Sequence, residues 1–249
     1  DPRRGRPGYC QVRACEMSDL VVGLGEVGEP LRQFLGAQGH DLNAPTPYEG
    51  TIDTLHIAMP YGPRFVEQVH QYQTAWAPSL TIVHSTVPVG TTRKIPNAVH
   101  SPINGRHGSI LESLRWLPKW VGGPQAHEAR RRLEQAGLTC LVTPLAETTE
   151  ALKLLCLAKY GAANALARMG QALGIPDDLV LEWDRAYNSD VEKGLQRPLM
   201  TPDGPIIGGH CVTQGVALLR STFPHPLLDG VLWYSKWGPN VSWEKHLGV

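Results

Sequence analysis

The chain has 249 residues, with 23 basic and 23 acidic side chains and a formal net charge of zero. That balance excludes the bulk attraction that draws basic proteins to nucleic acid or to an anionic membrane surface. No apolar run approaches the roughly 20 residues of a membrane span. Five cysteines (Cys10, Cys15, Cys140, Cys156, Cys211) form no Cys-x-x-Cys pair and leave an odd one over, the pattern of reduced thiols in a cytoplasmic protein. The 26 glycines and 21 prolines predict a loop-rich α/β chain.

Residues 1–16 read as an N-terminal extension. They are basic at the start but lack the apolar core of a signal peptide. The first strand is expected at Asp19-Leu20-Val21-Val22, followed by Gly23-Leu24-Gly25-Glu26-Val27-Gly28. This G-x-G-x-x-G spacing is that of a dinucleotide-binding turn. The first glycine permits the tight turn, the second lets backbone approach a pyrophosphate, and the third lets the helix pack on the strand. Taken alone, the same pattern is also that of a glycine turn that binds nothing. The next helix carries Leu31, Phe34 and Leu35 and should stop near Gly36–Gly39, with a second strand opening at Gly39-His40-Asp41-Leu42. Ala44-Pro45-Thr46-Pro47 interrupts that strand. The acid that would hold ribose hydroxyls belongs about 20 residues past the glycines. Thr46 stands there, while Asp41 reads as too early. A weak grip on the ribose follows, with NAD and NADP bound about equally.

Further strands are expected at 54–60, 80–86, 98–102, 120–123 and 140–143. Helices are expected over 63–76, by the spacing of Phe65, Val66, Val69 and Tyr72, and over 126–135. The alternation predicts a doubly wound, mostly parallel sheet of reduced Rossmann type, with ligands at its carboxyl edge. Composition changes at residue 147. From Glu147 to Leu173, Ala151, Leu154, Leu155, Ala158, Ala162, Ala165 and Leu166 recur at helical spacing. Their apolar face is broad enough for both a domain and a partner chain. The predicted organisation is a dinucleotide-binding domain over 17–146 and a small helical dimerisation and substrate domain over 147–249.

Four segments in order resemble one family, the UDP-glucose/GDP-mannose (nucleotide-sugar) 6-dehydrogenases. They are the 23–31 glycine turn; His84-Ser85-Thr86-Val87-Pro88-Val89-Gly90-Thr91-Thr92; Ala146-Glu147 with Lys153-Leu154; and Gly204-Pro205-Ile206-Ile207-Gly208-Gly209-His210-Cys211. The resemblance implies an NAD-linked oxidation of a primary alcohol through a cysteine thiohemiacetal and thioester, in a homodimer. By this likeness Cys211 matches the nucleophile, Lys153 the cation that stabilises oxyanions, and Thr86 the hydroxyl that orients water. Gly23, Gly25, Glu26, Val27, Gly28, Ser85 and Thr86 would line the cofactor. NAD is the expected cofactor, with NADP left open. The substrate is a small molecule, with a nucleotide sugar as one candidate.

The departures from the family pattern are specific. Leu157 stands four past the lysine where the family has asparagine. Gly215 stands four past the cysteine where it has aspartate. Ile103 replaces the glutamate of Ser-Pro-Glu. The stretch after Cys211 is shorter than the usual domain minimum of about 50 residues, so a third, nucleotide-holding domain is not expected. Two functions follow from these residues. One is an oxidoreductase in which Cys211 is a reactive thiol with a lowered pKa, exposed on a glycine turn. The other is a catalytically degenerate nucleotide-binding or assembly protein.

Overall fold

The computed structural model describes residues 18–41, 51–105, 108–188 and 209–236. Seven strands form one sheet: β1 (Asp19–Val22), β2 (Gln38–His40), β3 (Thr54–Ile57), β4 (Leu80–Val83), β5 (Ala98–His100), β6 (Lys119–Gly122) and β7 (Cys140–Thr143). Their order is β2-β1-β3-β4-β5-β6-β7. All pairings are parallel except β5 with β6, which meet antiparallel at His100 and Gly122. Each strand expected from the sequence is present. Where the apolar run was longer than the strand, the surplus forms the loop at the carboxyl edge.

The sheet is buried on both faces, as parallel sheets are. On one face Leu80, Ile82, Val99 and Val121 pack under α1 (Gly28–Leu35), α3 (Ile110–Trp116) and α4 (Ala126–Gln135) through Leu31, Ile110, Leu114, Ala129 and Leu133. On the other, Leu20, Val22, Leu55, Ile57 and Val83 pack under α2 (Phe65–Trp76) through Phe65 and Val69. The short helix α3 has no counterpart in the sequence reading.

The predicted long helix is α5 (Ala146–Ala172), unbroken over 27 residues. With α7 (Gly209–Thr222) and α8 (Pro226–Lys236) it forms a second core of Leu154, Leu157, Ala165, Val212, Val216, Leu219, Leu228 and Val231. The eleven-residue α6 (Asp177–Tyr187) follows α5. Gly161 lets α5 approach both α8 and α7 closely, since a Cβ there would lie 2.7 Å from Val231 of α8 and 3.2 Å from Val212 of α7. Leu152, Leu155 and Leu166 point outward from α5, 45–54% exposed, on a face that none of the described elements covers.

Candidate active site

The chain reverses direction across the sheet between β1 and β3, and ligands of such sheets sit at the carboxyl edge of that switch point. The glycine turn lies there. Gly23 has φ +90°, and a Cβ on it would stand 2.8 Å from the Met59 backbone nitrogen. A Cβ on Gly28 would lie 1.7 Å from the Gly23 carbonyl oxygen. Around Gly25 a Cβ would meet nothing within 4 Å. The three glycines therefore serve three physical purposes: a left-handed turn, free backbone approach, and helix-to-strand packing. Helix α1 starts beyond Val27, whose side chain supplies no cap.

Strand β2 ends at His40, so Asp41, read as too early in the sequence, stands immediately at its carboxyl end, where its Oδ2 accepts the Leu24 N–H at 2.8 Å. Thr46 lies outside the described residues. His40 packs edge-on against Tyr72 and Trp76, which stack on each other, and the Asp41 charge joins burial in raising the Tyr72 phenol.

Ser85 is buried after β4, and its hydroxyl donates to the Met59 carbonyl at 2.6 Å. That bond ties the β3 and β4 loops together. Thr86 beside it is half-buried. The loop that follows is held by a residue the sequence reading passed over. Glu150 is fully buried on α5 and accepts the Gly90 N–H at 2.6 Å and the Thr92 N–H at 2.8 Å. Glu147, quoted for the resemblance, sits instead toward the surface beside Arg93. An acid on the sheetward stripe of an otherwise apolar helix was the available signal.

Lys153 extends from α5 and donates to the Ile103 carbonyl at 2.7 Å. Burial lowers its pKa, while the Cys156 and Cys211 sulfurs act to raise it. Cys211 does not sit on an exposed glycine turn. It lies in the first turn of α7, half-buried. Burial raises its thiol pKa, Lys153 pulls it down, and Glu26 pushes it up. The net direction is upward, which corrects the expectation of a lowered value. The backbone of His210 belongs to α7, and Gly204–Gly208 lie outside the described residues. Lys153 from α5 and Glu26 from the glycine turn are thus each brought within electrostatic reach of Cys211 on α7. A cleft of about 560 Å³ opens at Glu26, between it and Pro30 and the start of α3 at Ser109, Glu112 and Arg115; Lys153 and Cys211 do not line it.

The two missing family residues meet in space. A Cβ on Gly215 would fall 2.3 Å from Leu157 Cδ1 and 3.0 Å from Leu157 Cβ. Leu157 fills the hole that Gly215 leaves, so the polar pair of the family pattern is replaced by one dry apolar contact, a turn along α7 from Cys211.

No protein-family model and no curated protein matches the chain. Solved structures do. The UDP-D-ManNAc dehydrogenase of Pyrococcus horikoshii superposes with a TM-score of 0.73 at 17% identity, over 88% of this chain and 68% of that one. The UDP-glucose dehydrogenase of Pyrobaculum islandicum gives 0.62 at 20% identity, over 90% and 69%. The 3-hydroxyisobutyrate dehydrogenase of Mycobacterium tuberculosis gives 0.64 at 15% identity, over 88% and 93%. The fold is that of these dehydrogenases.

Proposed function

We propose that the chain is an NAD-linked oxidoreductase that exchanges a hydride between a primary alcohol and its aldehyde next to Lys153, at the carboxyl edge of the sheet. The observation that carries this reading is the convergence of Glu26 from the glycine turn, Lys153 from α5 and Cys211 from α7. The residues present fit a dinucleotide. Open space at Gly25 leaves a path for a pyrophosphate, and Asp41, at the carboxyl end of β2 beside the glycine turn, is the carboxylate we assign to the ribose hydroxyls. When bound, the dinucleotide supplies the hydride acceptor. The protein's part is positional and electrostatic. Lys153, with its pKa lowered by burial, takes the hydroxyl proton as a neutral amine and, once charged, stabilises negative oxygen in the reverse direction. Cys211 lies beside it and adds to an aldehyde carbon only as the thiolate, which burial disfavours near neutral pH. Hydrolysis of a thioester needs an activated water. The Leu157–Gly215 contact leaves no polar group there to activate one, so the reading stops at a two-electron exchange.

That same contact favours a second reading, a non-catalytic dinucleotide-binding protein. Two measurements separate the cases. Thermal shift with NAD should raise the unfolding temperature of the wild type and not of Gly25→Val, whose side chain fills the pyrophosphate path without touching the fold. NADH formation is then followed with the substrates that the similar structures are named for, UDP sugars and 3-hydroxyisobutyrate, and with simple primary alcohols. Binding without turnover on any of them selects the second reading, and no binding removes both. We also propose a homodimer through the outward face of α5. A clean monomer by sedimentation at micromolar concentration would remove it.

A further inference from the structure

One face of the sheet carries a line of polar side chains amid apolar ones. Asp19 on β1 lies 3.8 Å from His56 Nε2 on β3. His56 Nδ1 is 3.0 Å from His84 Nε2, with the two rings stacked. His84 Nδ1 is 2.7 Å from the Ser101 carbonyl and 3.4 Å from Lys119 Nζ on β6. Lys119 is 2% exposed, and its ammonium donates to the carbonyls of Ser101 at 2.9 Å and Pro102 at 3.1 Å. The next carbonyl along the chain, Ile103 O, is the acceptor of Lys153 at 2.7 Å. Two lysines from different elements therefore grip three consecutive carbonyls.

We infer that Lys119 is a positioning residue for Lys153: by fixing the Ser101 and Pro102 carbonyls it sets the backbone whose next carbonyl anchors the Lys153 amine. The inference rests on the reading of Lys153 as the group that handles the substrate proton. The coupling is also electrostatic, because two buried cations on one backbone segment disfavour each other's charge. Burial lowers Lys119 to about 7, Cys140 opposes that shift, and Lys153 adds to it. The other titratable groups facing Lys119 are His84 and His100, with His56 and Asp19 beyond His84. On the opposite side Glu134 and Arg130 act on Cys140. Both histidines are held neutral by burial, so the charge beneath the 101–103 backbone is set by Lys119.

The test reads the two amines directly, in the full chain and without cofactor. The side-chain nitrogens are titrated by NMR with isotopically labelled lysine, in wild type, Lys119→Met and Lys153→Met. Removing Lys119 should lower the Lys153 midpoint, because the Ile103 carbonyl that favours its charged form is no longer held in place; repulsion adds little there, since Lys119, at about 7, is already largely neutral where Lys153 titrates. Removing Lys153 should raise the Lys119 midpoint, because its charge disfavours that of Lys119. Should Lys119→Met fail to fold, Lys153→Met alone decides, because an uncoupled Lys119 would keep its midpoint. A Lys153 midpoint unchanged in a folded Lys119→Met protein, or a Lys119 midpoint unchanged in Lys153→Met, overturns the inference and leaves Lys119 a structural residue. If the chain turns over alcohols, the pH limb of kcat/KM should move with the Lys153 midpoint in Lys119→Met. Absence of turnover removes the dehydrogenase reading while leaving the amine titrations interpretable.

Discussion

Acidification should unfold this protein through its buried histidines before its carboxylates are protonated. His100 is fully buried on β5. In the neutral ring Nε2–H donates to the Ser85 carbonyl at 3.2 Å, and the Thr149 hydroxyl donates to Nδ1 at 2.8 Å. Burial drives its pKa from 6.5 down to about 3, the Ser85 carbonyl opposes, and the charges of Lys119 and Lys153 add to the lowering. The folded form thus refuses a proton that the unfolded chain accepts, so stability is full above pH 6.5 and is lost as pH falls toward 3. By pH 5 the loss from His100 alone is about 2 kcal/mol, a sizeable part of a typical domain stability of about 5–15 kcal/mol. His84, lowered well below its ordinary value first by burial and then by Lys119, adds a loss of the same sign. Lys119 extends the slope upward, with stability falling as pH drops from 10.5 to about 7. Urea unfolding midpoints at intervals from pH 8 to pH 5 would record this. His100→Gln keeps an amide donor for Ser85 and should recover about 2 kcal/mol of the loss at pH 5. A midpoint flat between pH 7.5 and 5, or an identical slope in His100→Gln, would refute the reasoning.

Three further outcomes are expected. The Asp41 carboxylate should disfavour a 2′-phosphate, so NAD should bind at least about tenfold more tightly than NADP, with Asp41→Asn narrowing the gap when both are titrated by thermal shift. Gly215→Ala should cost about 1–3 kcal/mol by overpacking against Leu157, and Leu157→Ala about 2–5 kcal/mol by leaving a cavity. The double variant should cost clearly less than the sum, and simple additivity in chemical unfolding would show that the two do not share one space. Cys211 should alkylate with a pH midpoint above that of an ordinary thiol, and Lys153→Met should raise it further. A midpoint near neutrality in mass-mapped labelling would contradict the half-buried placement.

The fold was legible because its signals are local. Short apolar runs ending in glycine, proline or hydroxyl residues marked every strand, and the unbroken 3.6-residue spacing from Ala151 to Leu166 marked α5. Helices α3, α7 and α8 escaped because Ile110–Trp116 spans under two helical turns, the glycines before Cys211 read as a turn where α7 begins, and Pro226 masks the start of α8. Within the site, the glycines were readable one by one, since each is required by a distinct steric condition. Asp41 was not, because its place depends on where a three-residue strand ends. Glu150 and Lys119 were missed for a shared reason. A charged residue in a sequence is read as solvated, and only tertiary structure shows backbone N–H groups or carbonyls waiting for it. Lys119 and Val121 alternate onto one strand face, and that alternation was the one sequence sign that the lysine points inward.

The resemblance to nucleotide-sugar dehydrogenases covers the parts that make a dinucleotide turn and place a lysine near a cysteine. It fails at the parts that would move water. In the sequence Leu157 and Gly215 look like two independent losses, 58 positions apart. In the structure they are one change. A polar pair facing across α5 and α7 requires mutual hydrogen bonding or water, since an unpaired buried polar group costs on the order of 1–3 kcal/mol. Replacing one member alone would leave the other unsatisfied, whereas a leucine opposite a glycine satisfies itself by filling space. The site next to Cys211 is therefore repacked as a stable, dry alternative rather than left half-dismantled. Meanwhile Glu26 and Lys153 stay within electrostatic reach of Cys211. The fit of Leu157 to the missing side chain at residue 215 stabilises α5 against α7 whether or not the chain turns over an alcohol, so NADH formation, and not stability, separates the two proposed functions.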